Sequence, residues 1–314
     1  MKDLLAVAML TGVYSLLSAG FFVTMDAVDV AFTEAAVGAG VSTLLMLVAI
    51  SMTGRSEHHV RHKPLLALAV VTITGGLLVY GTLDMPYFGS ADAPIHQHVA
   101  PRYINDSMQE IGIPNIVTSV LASYRAFDTF GEVVVIFTAG IGVIALLSLP
   151  RRREDTEEIE SYNLSMHEQH LILRIVSKIL IPFIMLFAFY VQFHGDFGPG
   201  GGFQAGVIFA SAIFLYVMLF GMNTAREVIN QSLTQVLAAT GVLIYGSVGI
   251  VSLLNGKTFF DYSALSSDPV AGQHWGILLI ELGVGITVAS VMIIIFFNFA
   301  ERRDRRPGEK NENI

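Results

Sequence analysis

Residues 26–40 read DAVDVAFTEAAVGAG, and the apolar run they open continues to about Met52. That run is long enough to cross a bilayer as one helix. Three carboxylates, Asp26, Asp29 and Glu34, enter it. A carboxylate at membrane depth is costly, because the charged form loses its water and the neutral form still needs partners. Ionisable groups placed there default to ion paths, proton relays or paired contacts between helices. The chain repeats the device at Asp128/Glu132, at His194/Asp196 and at Glu281. These placements predict a membrane protein that handles cations or protons.

Composition supports this reading. Of 314 residues, 53% are hydrophobic and 14% are charged, against about 25% charged in a soluble domain. The formal charge of −8 and the lack of a basic stripe argue against nucleic acid as a partner. Cysteine is absent, which excludes disulfides, Cys-based metal sites, iron–sulfur ligation and thiol chemistry. The apolar stretch at the N-terminus is too long for a signal-peptide core and lacks a clean cleavage site, so it reads as a retained span.

Hydropathy gives an all-α integral membrane protein of about eight transmembrane helices: 3–25, 28–52, 64–82, 127–149, 171–193, 203–222, 233–254 and 275–298. The N- and C-termini are expected in the cytoplasm. The loops then inside carry Arg55, Arg61, Lys63, Arg151, Arg152, Arg153 and Arg226, and the tail carries four more arginines. The external segments keep Arg102, Arg125 and Lys257, which satisfies the positive-inside rule. The expected modules are 1–63 with two spans and 64–150 with two spans and a long external loop. A hydrophilic linker at 151–170, a four-span domain at 171–300 and a charged tail at 301–314 follow. The end of the long loop, IPNIVTSVLASYRAF, reads as a short helix at or dipping into the interface.

Asp26, Asp29 and Thr33 share one helical stripe at i, i+3 and i+7. Glu34 lies beside it, about 9 Å into the span at 1.5 Å per residue, among small residues that allow close packing or water. Asp26 and Asp29 read mainly as residues of the outer mouth, and Glu34 as the buried member. Arg125, Asp128 and Glu132 repeat the i, i+3, i+7 spacing. An internal Arg125–Asp128 pair would offset part of the burial cost and leave Glu132, deeper, with a tunable affinity for protons; the alternative is an interfacial salt bridge that fixes the loop to the fourth span. In FHGDFGPGGGFQAG, residues 193–206, consecutive glycines favour an irregular turn that other chain segments can approach closely. No Lys or Arg follows, so a phosphate-binding loop is excluded; His194 and Asp196 either relay protons or bond the turn. Glu281 lies about 9 Å inside the last span. His58, His59 and His62 lack the further ligands of a closed metal site. No activated nucleophile, resident metal or cofactor site emerges, apart from transient Na+ at Glu34 or Glu132.

These motifs resemble a known family. MDAVDVAFTEAAVGAGVSTLL looks like the small membrane module shared by the large subunit of Mrp-type multisubunit cation/proton antiporters and the membrane arm of membrane-bound hydrogenases. IGIPNIVTSVLASYRAFDTFGEVVVIFTAGIGV, residues 111–143, resembles the module that follows it. From Ile172 onward the chain looks like the antiporter's B subunit, with F-H-G at Phe193 to Gly195 and P-G-G-G-F-Q at Pro199 to Gln204. The resemblance implies a non-catalytic subunit in a prokaryotic cell membrane, with other subunits, lipid, Na+ and H+ as partners. The helix that opens the first module in the family is expected to be absent or carried by a partner chain. Glu34 and Glu132 would line the ion path, with Thr33, Asp29 and Asp128 in support and Arg125, His194 and Glu281 as secondary members. The redox-driven membrane arm, of hydrogenase or ferredoxin-oxidising type, is the alternative.

Overall fold

The computed structural model describes residues 3–57, 64–87, 89–147 and 171–304. His58, His59, His62, the linker at 151–170 and the tail beyond residue 304 lie outside the described residues.

Eight described helices are long and apolar enough to span a membrane. They are α1 (Leu4–Thr24), α2 (Val28–Thr53), α3 (Pro64–Thr82), α4 (Ala126–Leu147), α5 (Leu171–His194), α6 (Gly202–Phe220), α7 (Gln231–Leu254) and α8 (Pro269–Asp304). Helices dominate because no water in the hydrocarbon layer can satisfy open backbone groups. The spans fall within a few residues of those read from hydropathy, except the last. It starts six residues earlier, at Pro269, where Asp268 accepts a hydrogen bond from the Val270 amide at 3.2 Å and fixes the first turn.

α1 and α2 form a hairpin whose open end is closed by Arg55 and Asp3, with Nη2 to Oδ2 at 2.9 Å. Its tight end turns at Asp26, a non-glycine residue at φ +62°, a conformation that Asp tolerates better than most. α2 packs on α6 and α8. α8 is the central post, crossing α4, α6 and α7. It comes close through glycine: a methyl on Gly206 would lie 2.8 Å from the Gly285 carbonyl oxygen, so only hydrogen fits there. Small-residue crossings of this kind are how membrane helices gain packing without a hydrophobic drive between them. α3 stands apart, with no buried residue.

The long segment before α4 holds short helices at Pro94–Gln97, Val99–Asn105 and Ser107–Glu110, then a half-helix over Ile116–Tyr124. The chain breaks at Arg125 before α4 begins. Such a break orphans backbone carbonyls at the end of the half-helix; of two wholly buried tyrosines beside it, one bonds such a carbonyl and the other bonds the first turn of α4. Tyr262 donates to the Ala122 carbonyl at 2.9 Å and Tyr245 to the Ala126 carbonyl at 2.8 Å.

Candidate functional site

A cavity of about 320 Å³ lies where α2, the half-helix, α4, α6 and α8 meet. Its polar wall comes from Asp29 and Thr33 on α2, Thr118 on the half-helix, Thr129 and Glu132 on α4, Gln204 on α6 and Glu281 on α8. The remainder is apolar side chain and glycine backbone, including Val117, Leu121, Ile280 and Gly200 to Gly202.

The turn 195–201 is what lets α5, α6 and α8 converge here. Gly201 sits at φ +109°, which only glycine adopts freely. Its amide donates to the Val191 carbonyl at 3.0 Å. The half-helix holds the turn from the other side. Asn115 Nδ2 donates to the carbonyls of Gly195 and Gly198, each at 3.0 Å, and Thr118 Oγ1 donates to Gly195 at 2.7 Å. Glu281 presses against the same turn, so that a methyl on Gly201 would lie 3.0 Å from its Oε1 and one on Gly195 3.2 Å.

On α2, the Thr33 hydroxyl donates to the Asp29 carbonyl at 3.0 Å and accepts from Gln204 Nε2 at 2.9 Å. Asp29 Oδ1 faces the Gly200 amide at 3.4 Å. The half-buried Asp29 is therefore a wall residue of the cavity, while Asp26 is exposed in the turn before α2. Glu34, one position on from Thr33, is rotated away by the 100° helical step. Its Oε1 lies beside Ser15 of α1, over Gly38, where a methyl would sit 2.6 Å from Oε1 and 2.7 Å from Ser15 Oγ. Glu34 thus faces the α1–α2 seam, and the cavity brings together Asp29, Thr33, Glu132 and Glu281 without it.

The other sequence candidates divide in the same way. Arg125 and Asp128 form a 2.7 Å pair in which both side chains are exposed, outside the cavity wall. Glu132, two turns into α4, lines the open side of the cavity and is itself exposed in the isolated chain. His194 stacks on Tyr190, with ring centroids 4.9 Å apart, and packs under Gly198. It braces the turn and does not enter the cavity. Asp196 pairs instead with His274, Oδ2 to Nδ1 at 3.6 Å.

Gln204 belongs to the glycine motif but gains a role only from the structure. Its signal in the sequence is an amide at the start of an apolar span, directly after the glycine turn: a buried polar group that requires a partner. α2 passes into π-helix over Ala35–Ser42 directly after Glu34, and the half-helix does so over Ser119–Tyr124. Such segments recur beside functional sites. All polar groups of the wall offer oxygen, apart from the Gln204 amide nitrogen already spent on Thr33. Oxygen ligands suit hard cations and carboxylates suit protons. Among the described residues, no three His or carboxylate groups stand close enough to share one metal ion.

Comparison with known proteins covers most of the chain in three pieces. The MbhD family model, of the MBH group, matches residues 1–55, and the MbhE model of the same group matches residues 61–164. The domain related to the MnhB subunit of Na+/H+ antiporter matches residues 172–294. The putative antiporter subunit mnhB2 of Staphylococcus aureus (strain Newman) is 32% identical over 141 residues, which is 44% of this chain and 99% of that protein. Its counterpart in Staphylococcus haemolyticus (strain JCSC1435) is 35% identical over 133 residues, 41% of this chain and 94% of the relative.

Among solved structures, a chain of the Mrp complex from Dietzia sp. DQ12-45-1b shares the fold over 96% of this chain, with a TM-score of 0.71 and 23% identity. This chain spans 33% of that one. A chain of the membrane-bound sulfane sulfur reductase, an archaeal respiratory membrane complex, aligns over 76% of this chain and 98% of its own, with a TM-score of 0.53 and 29% identity.

Proposed function

This chain belongs to the family of MnhB-type antiporter subunits, and on that premise we propose that it serves as a non-catalytic subunit of a multisubunit cation/proton antiporter. Its cavity holds Na+ or H+ in transit. The observation that carries this reading is the convergence of Asp29, Glu132 and Glu281, from three stretches matched by three different family models, on one cavity. Carboxylates at membrane depth are retained where they serve a path or a pair. Several acceptor groups along one path let an ion be received in succession and released, which conduction requires.

The cavity is open on the side of Glu132, and α3 has no buried residue. Both features fit a chain that other membrane subunits cover. Its setting is the cell membrane of a prokaryote, with proton-channel subunits beside it.

Glu132→Gln and Asp29→Asn in the assembled complex, assayed by sodium-dependent dissipation of a proton gradient in vesicles, test the reading. Loss of either carboxylate lowers transport at least tenfold, about 1.4 kcal/mol or more in barrier, while assembly stays normal. Unchanged transport in a normally assembled complex leaves this chain as a spacer and overturns the proposal.

A second reading, the membrane arm of a redox-driven complex, is favoured by the two MBH-type matches and by the likeness to the sulfane sulfur reductase chain. The cavity would do the same work there. A neighbouring gene for a nickel or iron–sulfur subunit decides for it.

A further inference from the structure

Two titratable groups at the loop-side rim of the cavity lie outside the wall described above. His274 stands in the second turn of α8, with Nδ1 3.6 Å from Asp196 Oδ2. The imidazole is 41% exposed and the carboxylate 25%, so water reaches both. Asp196 adjoins Gly195, whose backbone abuts Glu281 Oε1. Glu281 follows His274 by seven residues, which places it on the same face of α8 about 10 Å deeper. Glycine backbone at Gly195 and Gly201 packs between Asp196 and Glu281, so no side chain stands between the two carboxyls.

We propose that the His274–Asp196 pair is a proton port, collecting protons from the water on the loop side and delivering them to Glu281 across the glycine turn. The inference rests on the cavity being a cation/proton site. An imidazole that gains a proton at Nε2 releases one from Nδ1, here to Asp196 Oδ2. The neutral Asp196 carboxyl then gives its proton, through one bridging water, to the Glu281 carboxylate. Only N–H and O–H bonds are made and broken; the imidazole is left with its proton on Nε2 and regains the Nδ1–H form by exchanging protons with the water that reaches it.

Asp196 is suited to the middle position. Burial pushes its carboxyl up from the ordinary range, with His274 opposing, so it exchanges protons nearer neutrality than a free aspartate. The half-helix fixes its backbone, since the Asn115 amide donates to the Asp196 carbonyl at 3.1 Å. His194 faces the far side of the same turn, at Gly198. Glu281 in turn is faced by Asp29 from α2, Asp196 from the turn and Tyr245 from α7, with Glu132 across the cavity. A proton delivered to Glu281 therefore arrives among further carboxylates that can pass it on.

The test is the pH profile of sodium-dependent proton flux in vesicles carrying the whole complex, with protons offered from each side in turn. His274→Gln and Asp196→Asn are each expected to move the alkaline limb down by about one pH unit, a tenfold higher proton demand. The shift appears only for protons offered from the loop side, the sodium KM stays unchanged, and Asp196→Glu restores the profile. Profiles that coincide with the parent in both variants overturn the port. If Asp196→Asn fails to assemble, the half-exposed His274→Gln decides alone. Glu132→Gln and Glu281→Gln separate the two ideas: their abolishing transport while the port variants keep the parental profile removes only the port. Unaffected transport in those two removes the cation/proton site as well.

Discussion

The Thr118 hydroxyl donates to the Gly195 carbonyl at 2.7 Å, joining the half-helix before α4 to the glycine turn after α5. Asn115 adds two bonds to the same turn. The carbonyls at 195 and 198 belong to a turn that has given up helical pairing, so these side chains replace what the backbone lost.

Asn115→Ala removes three hydrogen bonds, two donated to the turn carbonyls and the 3.0 Å cap bond accepted from the Val117 amide, at about 1 kcal/mol each. The expected result is a complex that melts several degrees earlier and exchanges backbone hydrogens faster over 194–202. Thermal unfolding in detergent and hydrogen exchange read the two effects. Unaltered exchange in that segment would show that the hook does not hold the turn.

Gly202→Ala should be far worse. A methyl there meets the Glu281 carbonyl, the Gly285 amide and Val284, all in the α6–α8 crossing. Overpacking costs about 1–3 kcal/mol where neighbours can shift, and backbone on the opposite side cannot. Loss of assembled complex on native gels is expected, whereas Gly20→Ala, with open space around it, should assemble as the parent does.

Glu34 and Asp29 should part company. Glu34→Gln keeps its contact with the α1–α2 seam and leaves sodium-dependent flux within about twofold of the parent, while Asp29→Asn loses at least tenfold, a difference of about 1 kcal/mol or more in barrier. Comparable losses in both would mean that the path runs along the seam and not through the cavity.

Glu110 predicts an acid-sensitive loop. The Tyr124 hydroxyl, and after it Arg102 at 3.2 Å, hold its carboxyl below the ordinary carboxylate range against the opposing effect of burial. A lowered folded value means that its contribution is fully present above the ordinary carboxylate pKa. It is lost as pH falls through the folded value. Hydrogen exchange over 99–124, divided by the intrinsic exchange rate at each pH, should therefore be flat from pH 8 to about 5 and rise below about pH 4. Glu110→Gln should abolish that rise.

The spans are legible in the sequence because a bilayer demands about 20 apolar residues at a stretch, and that demand is local. Which side of α2 faces the cavity is not. Asp29, Thr33 and Glu34 all lie on adjoining stripes, and the choice is made by Ser15 and Gly38, which take Glu34 into the seam with α1. Likewise the Asn115 and Thr118 side chains read as features of their own segment. Their partners lie 77 or more residues away, on a turn whose free carbonyls only three-dimensional structure reveals. Glu281 is visible as a carboxylate at depth; its meeting with Asp29 and Glu132 depends on the glycine crossing that draws α6 onto α8.

The staphylococcal mnhB2 protein is matched over 99% of its length by 141 residues of this chain, and the MnhB match here spans 172–294. Asn115 and Thr118 fall outside that stretch. In this chain the two sides of the hook are tethered, so they meet at an effective concentration set by the tether rather than by expression level. Covalent fusion thereby fixes a one-to-one ratio of the cavity's walls and makes closing the turn an event of folding rather than of encounter.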